Sequence, residues 1–247
     1  MKIVLIGHGK MGKSIEALAK KKGHEICLIV DEKNRDSVSN QELSTGDVAI
    51  EFSQPGAAVD NILRCFDAGI PVVSGTTGWN ERLEEVKDIC RKNNHSFFYS
   101  SNFSIGVNVF FEVNKKLAEL MNHLDQYDEV LIQESHHIHK LDSPSGTAIT
   151  LAEQLISGID RLKFWRNYKG DENIAGGDDA DAELPIFSTR EDEVPGTHIV
   201  KYFSDDDEIE IIHKAQNRQG FAMGAIRAAE WLSGKKGVFG MQDLLKF

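Results

Sequence analysis

Apolar and polar positions fall into short blocks along the first hundred residues. The run Ile3-Val4-Leu5-Ile6, set between Lys2 and Gly7, reads as a buried strand over 2–6, and the spacing from Met11 to Lys22 predicts a helix. Glu25 to Val30 predicts a second strand ending at Asp31, and Asp47 to Phe52 a third, followed by a helix over 57–68. Pro71 to Ser74 gives a short strand, Glu81 to Lys92 a helix and Ser96 to Tyr99 one more strand. Strictly alternating strand and helix predict an α/β fold, a Rossmann-type doubly wound parallel sheet with helices on both faces.

Beyond Asn102 the rhythm changes. Val107 to Leu124 predicts one long amphipathic helix with Val109, Val113, Leu117, Leu120 and Leu124 on its apolar stripe. Strands then dominate, over 129–133, 184–188, 198–203 and 208–213, and Asp205-Asp206-Asp207 supplies a hairpin turn between the last two. These elements predict an open antiparallel or mixed sheet, a second domain over 104–217 inserted into a dinucleotide-binding domain made of 1–103 and 218–247. A helix over 220–233 returns the chain to the first domain.

Composition narrows the partners. Of 247 residues, 40% are hydrophobic and 27% charged, as in ordinary soluble proteins, and the net charge is −11. That charge argues against a nucleic-acid or anionic-membrane binder, which needs a basic face. An anionic substrate must therefore be captured by a local cluster of positive charge. Cys27, Cys65 and Cys90 are far apart with no Cys-x-x-Cys pair, which suits neither a disulfide framework nor zinc and points to a reducing cytoplasm. The run Ile3 to Ile6 is too short for a signal peptide, and no apolar run reaches membrane-spanning length. The acidic, glycine-rich segment 170–183 lacks the ligand spacing of an EF-hand and reads as a solvated mobile loop.

The first strand–helix junction carries Gly7-His8-Gly9-Lys10-Met11-Gly12, which fits G-x-G-x-x-G. Gly7 permits the tight turn, Gly9 lets the backbone approach a pyrophosphate, and Gly12 allows close packing of helix on strand. The helix N-terminus adds free N–H groups and a positive dipole end. Asp31 closes the second strand at the distance expected of a ribose ligand, and its charge repels a 2′-phosphate, which favours NADH over NADPH. Lys33 and Arg35 follow closely and compensate in part. The loops Gly75-Thr76-Thr77 and Ser100-Ser101-Asn102-Phe103 follow later strands at their carboxyl ends, where a cofactor crevice is lined.

The densest chemistry lies in Ser135-His136-His137-Ile138-His139-Lys140, followed by Ser143-Pro144-Ser145-Gly146-Thr147. His136 and Lys140 share a face on either a strand or a helix, and an ammonium beside cationic neighbours has its pKa lowered towards values useful for proton donation. The Pro-Ser-Gly-Thr turn precedes an apolar-periodic run, so amides near Gly146 and Thr147 can grip a carboxylate. His137 and His139 share a strand face that could bind metal, but no Asp, Glu or Cys stands at a recognised ligand spacing, and no metal is expected.

These residues resemble the 4-hydroxy-tetrahydrodipicolinate reductase (dihydrodipicolinate reductase) family of the diaminopimelate–lysine pathway. The likeness rests on the glycine loop, Gly75-Thr76-Thr77-Gly78, Asn102 to Asn108 and above all His136 to Ala148, and it runs through nearly the whole chain. It implies an NAD(P)H-dependent reductase of a cyclic imine dicarboxylate, assembled as a homotetramer through the inserted sheet. It implies cofactor contacts at Gly7 to Gly12, Asp31, Gly75 to Thr77 and Ser100 to Phe103. His136 and Lys140 would be the proton-donating residues, while His137, Lys140, Gly146 and Thr147 would hold the dicarboxylate. Two departures stand out: Glu32 follows Asp31 where the family often has a basic residue, and Pro195-Gly196-Thr197-His198 replaces its usual Gly-Glu-His. The competing functions are a related dehydrogenase of an amino or keto dicarboxylate, and a nucleotide-sensing protein without catalysis.

Overall fold

The computed structural model describes residues 1–170, 182–217 and 219–247. It divides into two compact units, Met1–Ile105 with Gln219–Phe247, and Gly106–Arg218. Most of the acidic segment 170–183 lies outside the described residues.

In the first unit six parallel strands lie in the order β11-β5-β4-β3-β1-β2. They are β1 (Lys2–Ile6), β2 (Glu25–Val30), β3 (Val48–Glu51), β4 (Val72–Ser74), β5 (Ser96–Tyr99) and β11 (Gly237–Phe239). The continuous apolar run of β1 is explained by burial on both faces. Val4 and Ile6 join Val72 and Phe97 under α3 (Pro55–Asp67) and α4 (Leu83–Lys92). Ile3 and Leu5 face the other way, with Val73 and Phe98, under α1 (Lys10–Lys21) and α7 (Gln219–Leu232). The α7 helix presents Ala222, Gly224, Ala225 and Ala229 to this face. A Cβ at Gly224 would overlap the carbonyl of Phe103, so the small residues set how close this helix lies. The four-residue α2 (Asn40–Leu43), the three-residue β11 and α8 (Met241–Leu245) were not anticipated; each is too short to show a period.

The second unit is a five-stranded mixed sheet in the order β10-β9-β6-β8-β7. Here β6 (Glu129–His136) pairs antiparallel with β9 (Thr197–Phe203) and parallel with β8 (Glu183–Arg190). The outer strands are β10 (Glu208–Lys214), the hairpin partner of β9, and β7 (Phe164–Lys169), parallel to β8 and absent from the expected set. The helices α5 (Ile105–Met121) and α6 (Gly146–Gly158) contribute Phe110, Ala118, Leu151 and Leu155 to one core with Ile132, Ile186 and Val200.

The expected apolar stripe of α5 is corrected. Val107, Phe110, Asn114, Ala118 and Met121 are buried, whereas Val109, Val113 and Leu120 are 42%, 46% and 54% exposed. The buried face is the one that fits α6. Asn114 Nδ2 donates to Leu151 O at 3.3 Å and to Gln154 Oε1 at 3.0 Å, and Ala118 lies against Gly158. Apolar residues cover about half of the helix surface, opposite a face of Asn108, Glu112, Lys115, Lys116 and Glu119, and spacing alone does not choose which part of that half is buried.

Candidate active site

A cleft of about 580 Å³ opens at the carboxyl ends of β1, β2 and β3, lined by Gly7, His8, Gly9, Asp31, Phe52 and Ser53 among others. Gly7 has φ +91°, and a Cβ there would overlap the Phe52 carbonyl. A Cβ on Gly12 would overlap the carbonyl of Gly7, so that glycine seats α1 on the loop. Gly9 differs: nothing lies within 4 Å of the position its Cβ would take, and it stands at the N-cap of α1 without a side chain to cap it. The first amides of α1 are left open, a cradle that fits a pyrophosphate. His8 is tied through Nε2 to Glu16 at 2.7 Å, Lys10 is exposed, and Met11 packs into the core.

Asp31 ends β2 at the cleft, where its Oδ1 accepts the Lys33 amide at 2.8 Å. Glu32 accepts a hydrogen bond from Gln54 Nε2 at 2.7 Å. Of the two cations that follow, Arg35 is paired with Asp60 at 3.2 Å, and both Arg35 and Lys33 line the cleft.

The loops after β4 and β5 use several of their expected contact groups internally. Gly75 is required because the Phe52 ring lies where its Cβ would be. Ser100 Oγ donates to Asn102 O and accepts the Asn102 amide, closing a turn. The Phe103 ring is buried against Phe52 and Phe98, and its carbonyl packs against Gly224. Thr77 and Ser101 remain exposed.

Beneath these loops lies a residue that the sequence reading missed. Glu51, the last residue of β3, is fully buried and accepts hydrogen bonds from Ser53, from Ser74 Oγ at 2.6 Å and from Thr76 Oγ1 at 2.9 Å. Its carboxylate thereby joins the loops after β3 and β4. Burial pushes its carboxyl above the usual range, against those hydrogen bonds. The folded chain then holds this proton more tightly than the unfolded one, whose glutamates titrate near about 4.3. Its contribution is greatest below that value and declines as pH rises towards the folded pKa. Glu51→Gln cannot ionise, so its unfolding midpoint should fall less than the parent's as pH rises above the ordinary glutamate range. Parallel midpoint-versus-pH curves for the two proteins would contradict this.

In the second unit, Val130, Ile132, Glu134 and His136 alternate inward along β6. The strand ends at His136. Ile138 N then donates to Asp192 O at 3.2 Å and Lys140 N to His137 O at 3.0 Å, a turn. Strand alternation therefore does not reach Lys140, and the argument that it shares a face with His136 is corrected. The charge beside Lys140 is a carboxylate rather than another cation: its Nζ lies 2.8 Å from both oxygens of Asp142. His139 faces Glu193 at 3.4 Å in the open. The helix start is as expected. Ser145 caps α6 by accepting Ala148 N at 3.2 Å, which leaves the amides of Gly146 and Thr147 without a partner inside the helix. Nothing lies within 4 Å of a Cβ on Gly146, so a ligand has room to approach.

Behind this turn sits a buried cluster that spacing could not reveal. Glu134 accepts the Ser145 amide on both oxygens at 3.1 Å and Ser188 Oγ at 2.8 Å. Arg190 approaches at 3.4 Å, His136 Nε2 at 3.5 Å and His198 Nε2 at 3.7 Å. The two imidazoles meet at 3.3 Å, and His198 is 3.0 Å from Ser145 Oγ. Burial alone would raise the Glu134 carboxyl, but hydrogen bonds from His136, His198, Ser145 and Ser188 outweigh it and hold it far below the usual range. Burial lowers His198, with Glu134 opposing. The ligand atoms of Glu134, His136 and His198 lie within 4.8 Å of one another, a spacing a metal could use. The Arg190 guanidinium, the Ser145 amide, the Ser188 hydroxyl and the two imidazoles already surround that carboxylate, so the chemistry of the cluster is that of an ion pair. His137 and His139, considered for a metal on the sequence and set aside, are not part of it.

Two family models match almost the whole chain: dihydrodipicolinate reductase, N-terminus, over residues 1–103, and dihydrodipicolinate reductase, C-terminus, over 106–245. A 4-hydroxy-tetrahydrodipicolinate reductase from Christiangramia forsetii is 49% identical across 99% of this chain and 98% of its own length. One from Neisseria meningitidis serogroup B is 32% identical over 93% of this chain and 83% of its own. The fold matches a dipicolinate-bound dihydrodipicolinate reductase from Paenisporosarcina sp. TG-14 with a TM-score of 0.75 at 21% identity, covering 98% of each chain. With the two models matched in order and a relative identical at 49% of positions, the chain belongs to the dihydrodipicolinate reductase family.

Proposed function

We propose that this chain is an NAD(P)H-dependent oxidoreductase that reduces the cyclic imine dicarboxylate derived from 4-hydroxy-tetrahydrodipicolinate to tetrahydrodipicolinate, in diaminopimelate and lysine biosynthesis. The observation that carries the reading is the loop from His136 to Thr147, which combines an ammonium with open helix amides: a seat for carboxylates with a proton donor on the same segment. The uncapped glycine cradle of the first unit supports it.

A bound reduced pyridine nucleotide supplies the hydride. The amides at the start of α1 would hold its pyrophosphate, and Asp31 would accept hydrogen bonds from its ribose hydroxyls. Gly75 to Thr77 and Ser100 to Phe103 line the nicotinamide half. His137, Lys140 and the amides of Gly146 and Thr147 hold the dicarboxylate. Loss of water from the hydroxylated precursor gives a conjugated ring. Reduction at C4 shifts electrons towards C3, which takes its proton from Lys140 Nζ or the His136 ring.

The test follows NADH absorbance with the imine generated in situ, and with aspartate or oxaloacetate as controls. Oxidation with the imine alone supports the reading. Turnover of the controls would favour a dehydrogenase of amino or keto dicarboxylates, and no turnover at all a nucleotide sensor. NADH is the preferred donor, because Asp31 and Glu32 stand together at the cleft and Arg35 is engaged by Asp60. Asp31→Ala should raise the KM for NADH more than that for NADPH; equal rises would remove the ribose role. Assembly as a homotetramer through the second sheet predicts a solution mass four times that of the chain, measurable by light scattering. No helix among the described residues is long and apolar enough to cross a membrane, and three free cysteines fit a cytoplasmic protein.

A further inference from the structure

Three tethers on the segment between β6 and α6 lead back to one buried carboxylate, while Ile138 N is held separately by Asp192 O. At its far end, Ser145 N donates to both oxygens of Glu134 at 3.1 Å. In its middle, the Asp142 carbonyl accepts Arg190 Nη2 at 2.6 Å, and the same guanidinium reaches Glu134 Oε1 at 3.4 Å. Between them, Ser143 Oγ accepts Asn167 Nδ2 at 3.0 Å, and the Ser188 hydroxyl, with one proton to share, lies 2.7 Å from Asn167 Oδ1 and 2.8 Å from Glu134 Oε1. The Asp142 side chain, fixed by its own backbone, in turn holds Lys140 Nζ. Charges thus alternate along Glu134, Arg190, Asp142 and Lys140.

We propose that Glu134 and Arg190 form a clamp that positions the 137–145 loop, and through it the Lys140 ammonium and the open amides of Gly146 and Thr147, for the two carboxylates of the substrate. Neither clamp residue needs to touch the substrate. Glu134 is 2% exposed, and it acts through Ser145 and Arg190. The role requires the shape of arginine as well as its charge: a planar fork spans the Asp142 carbonyl and the Glu134 carboxylate together, which a lysine ammonium cannot do. The inference rests on the reductase reading for its substrate, but the clamp itself is a property of the loop.

The experiment uses Arg190→Lys, with Asn167→Ala as a second variant that breaks the Ser143–Asn167–Ser188 link and leaves Arg190 in place. Pyridine-2,6-dicarboxylate serves as a probe of the carboxylate seat, by calorimetry. Arg190→Lys should weaken its binding about tenfold and raise the KM for the imine by a similar factor, with kcat also reduced. The KM for NADH should move less than about twofold. A variant that merely lost folded protein would lower kcat and leave both the dissociation constant and KM unchanged. Amide hydrogen exchange over 137–145 should accelerate about tenfold in Arg190→Lys without any ligand. Parental probe affinity and parental exchange in both variants would overturn the clamp. Accelerated exchange in Arg190→Lys, alongside a parent chain that neither binds the probe nor reduces the imine, would keep the clamp and refute the reductase reading instead.

Discussion

Replacing Lys140 with alanine is expected to lower kcat with the imine by about 10²–10⁴-fold, the usual worth of a general acid. The structure separates the two candidate donors. His136 is 8% exposed, with Nε2 turned into the Glu134 and His198 cluster, whereas Lys140 stands on the turn outside the strand with Asp142 as its partner. Truncating Lys140 leaves the α6 amides and the Glu134 tethers in place, so the KM for the imine should rise less steeply than kcat falls. Single-turnover rates for Lys140→Ala and His136→Asn, measured side by side, assign the proton. Near-parental turnover in Lys140→Ala with a large loss in His136→Asn would transfer the role to the imidazole.

The second large effect is structural. Gly7→Ala places a methyl group on the Phe52 carbonyl at a residue with φ +91°. The left-handed backbone alone costs about 1–2 kcal/mol for an L-residue. Forcing the end of β3 aside adds about 1–3 kcal/mol more, as for an overpacked core. Since Phe52 and Gly7 both line the cleft, the same shift closes the space the nucleotide would take. Urea unfolding should show a lowered midpoint, and NADH fluorescence titration should show little or no binding. A variant of parental stability with normal NADH binding would mean that the loop has another conformation.

The first sheet was legible because its information is local. Ile3 to Ile6 is apolar without interruption, since both faces are buried, and the glycine pattern sits at a strand–helix junction where each glycine has a separate steric reason. The start of α6 was equally readable from Ser145-Gly146-Thr147. What escaped depends on register between distant segments. Glu134 reads as an ordinary polar residue on a strand until β8 and β9 bring Ser188, Arg190 and His198 to it. Glu51 could have been suspected, as a carboxylate closing an apolar strand, but its three hydroxyl partners come from the ends of two strands. Phe52 and Ser53 obey the same carboxyl-end rule that picked out the loops after β4 and β5. The α5 stripe failed for a different reason: an amide and an alanine chose its buried side, and hydrophobicity was no guide.

Because α7 and β11 come from Gln219–Phe247, the nucleotide unit is completed by a segment synthesised after the whole of the second unit. Until then Ile3, Leu5, Val73 and Phe98 lack α7, one of the two helices that cover them, while the second unit is continuous in sequence. Vectorial synthesis therefore favours the later-encoded sheet maturing first, with the earliest residues waiting as a sticky, half-built layer. A nascent chain stalled before residue 219 would be a substrate for chaperones rather than a miniature nucleotide binder.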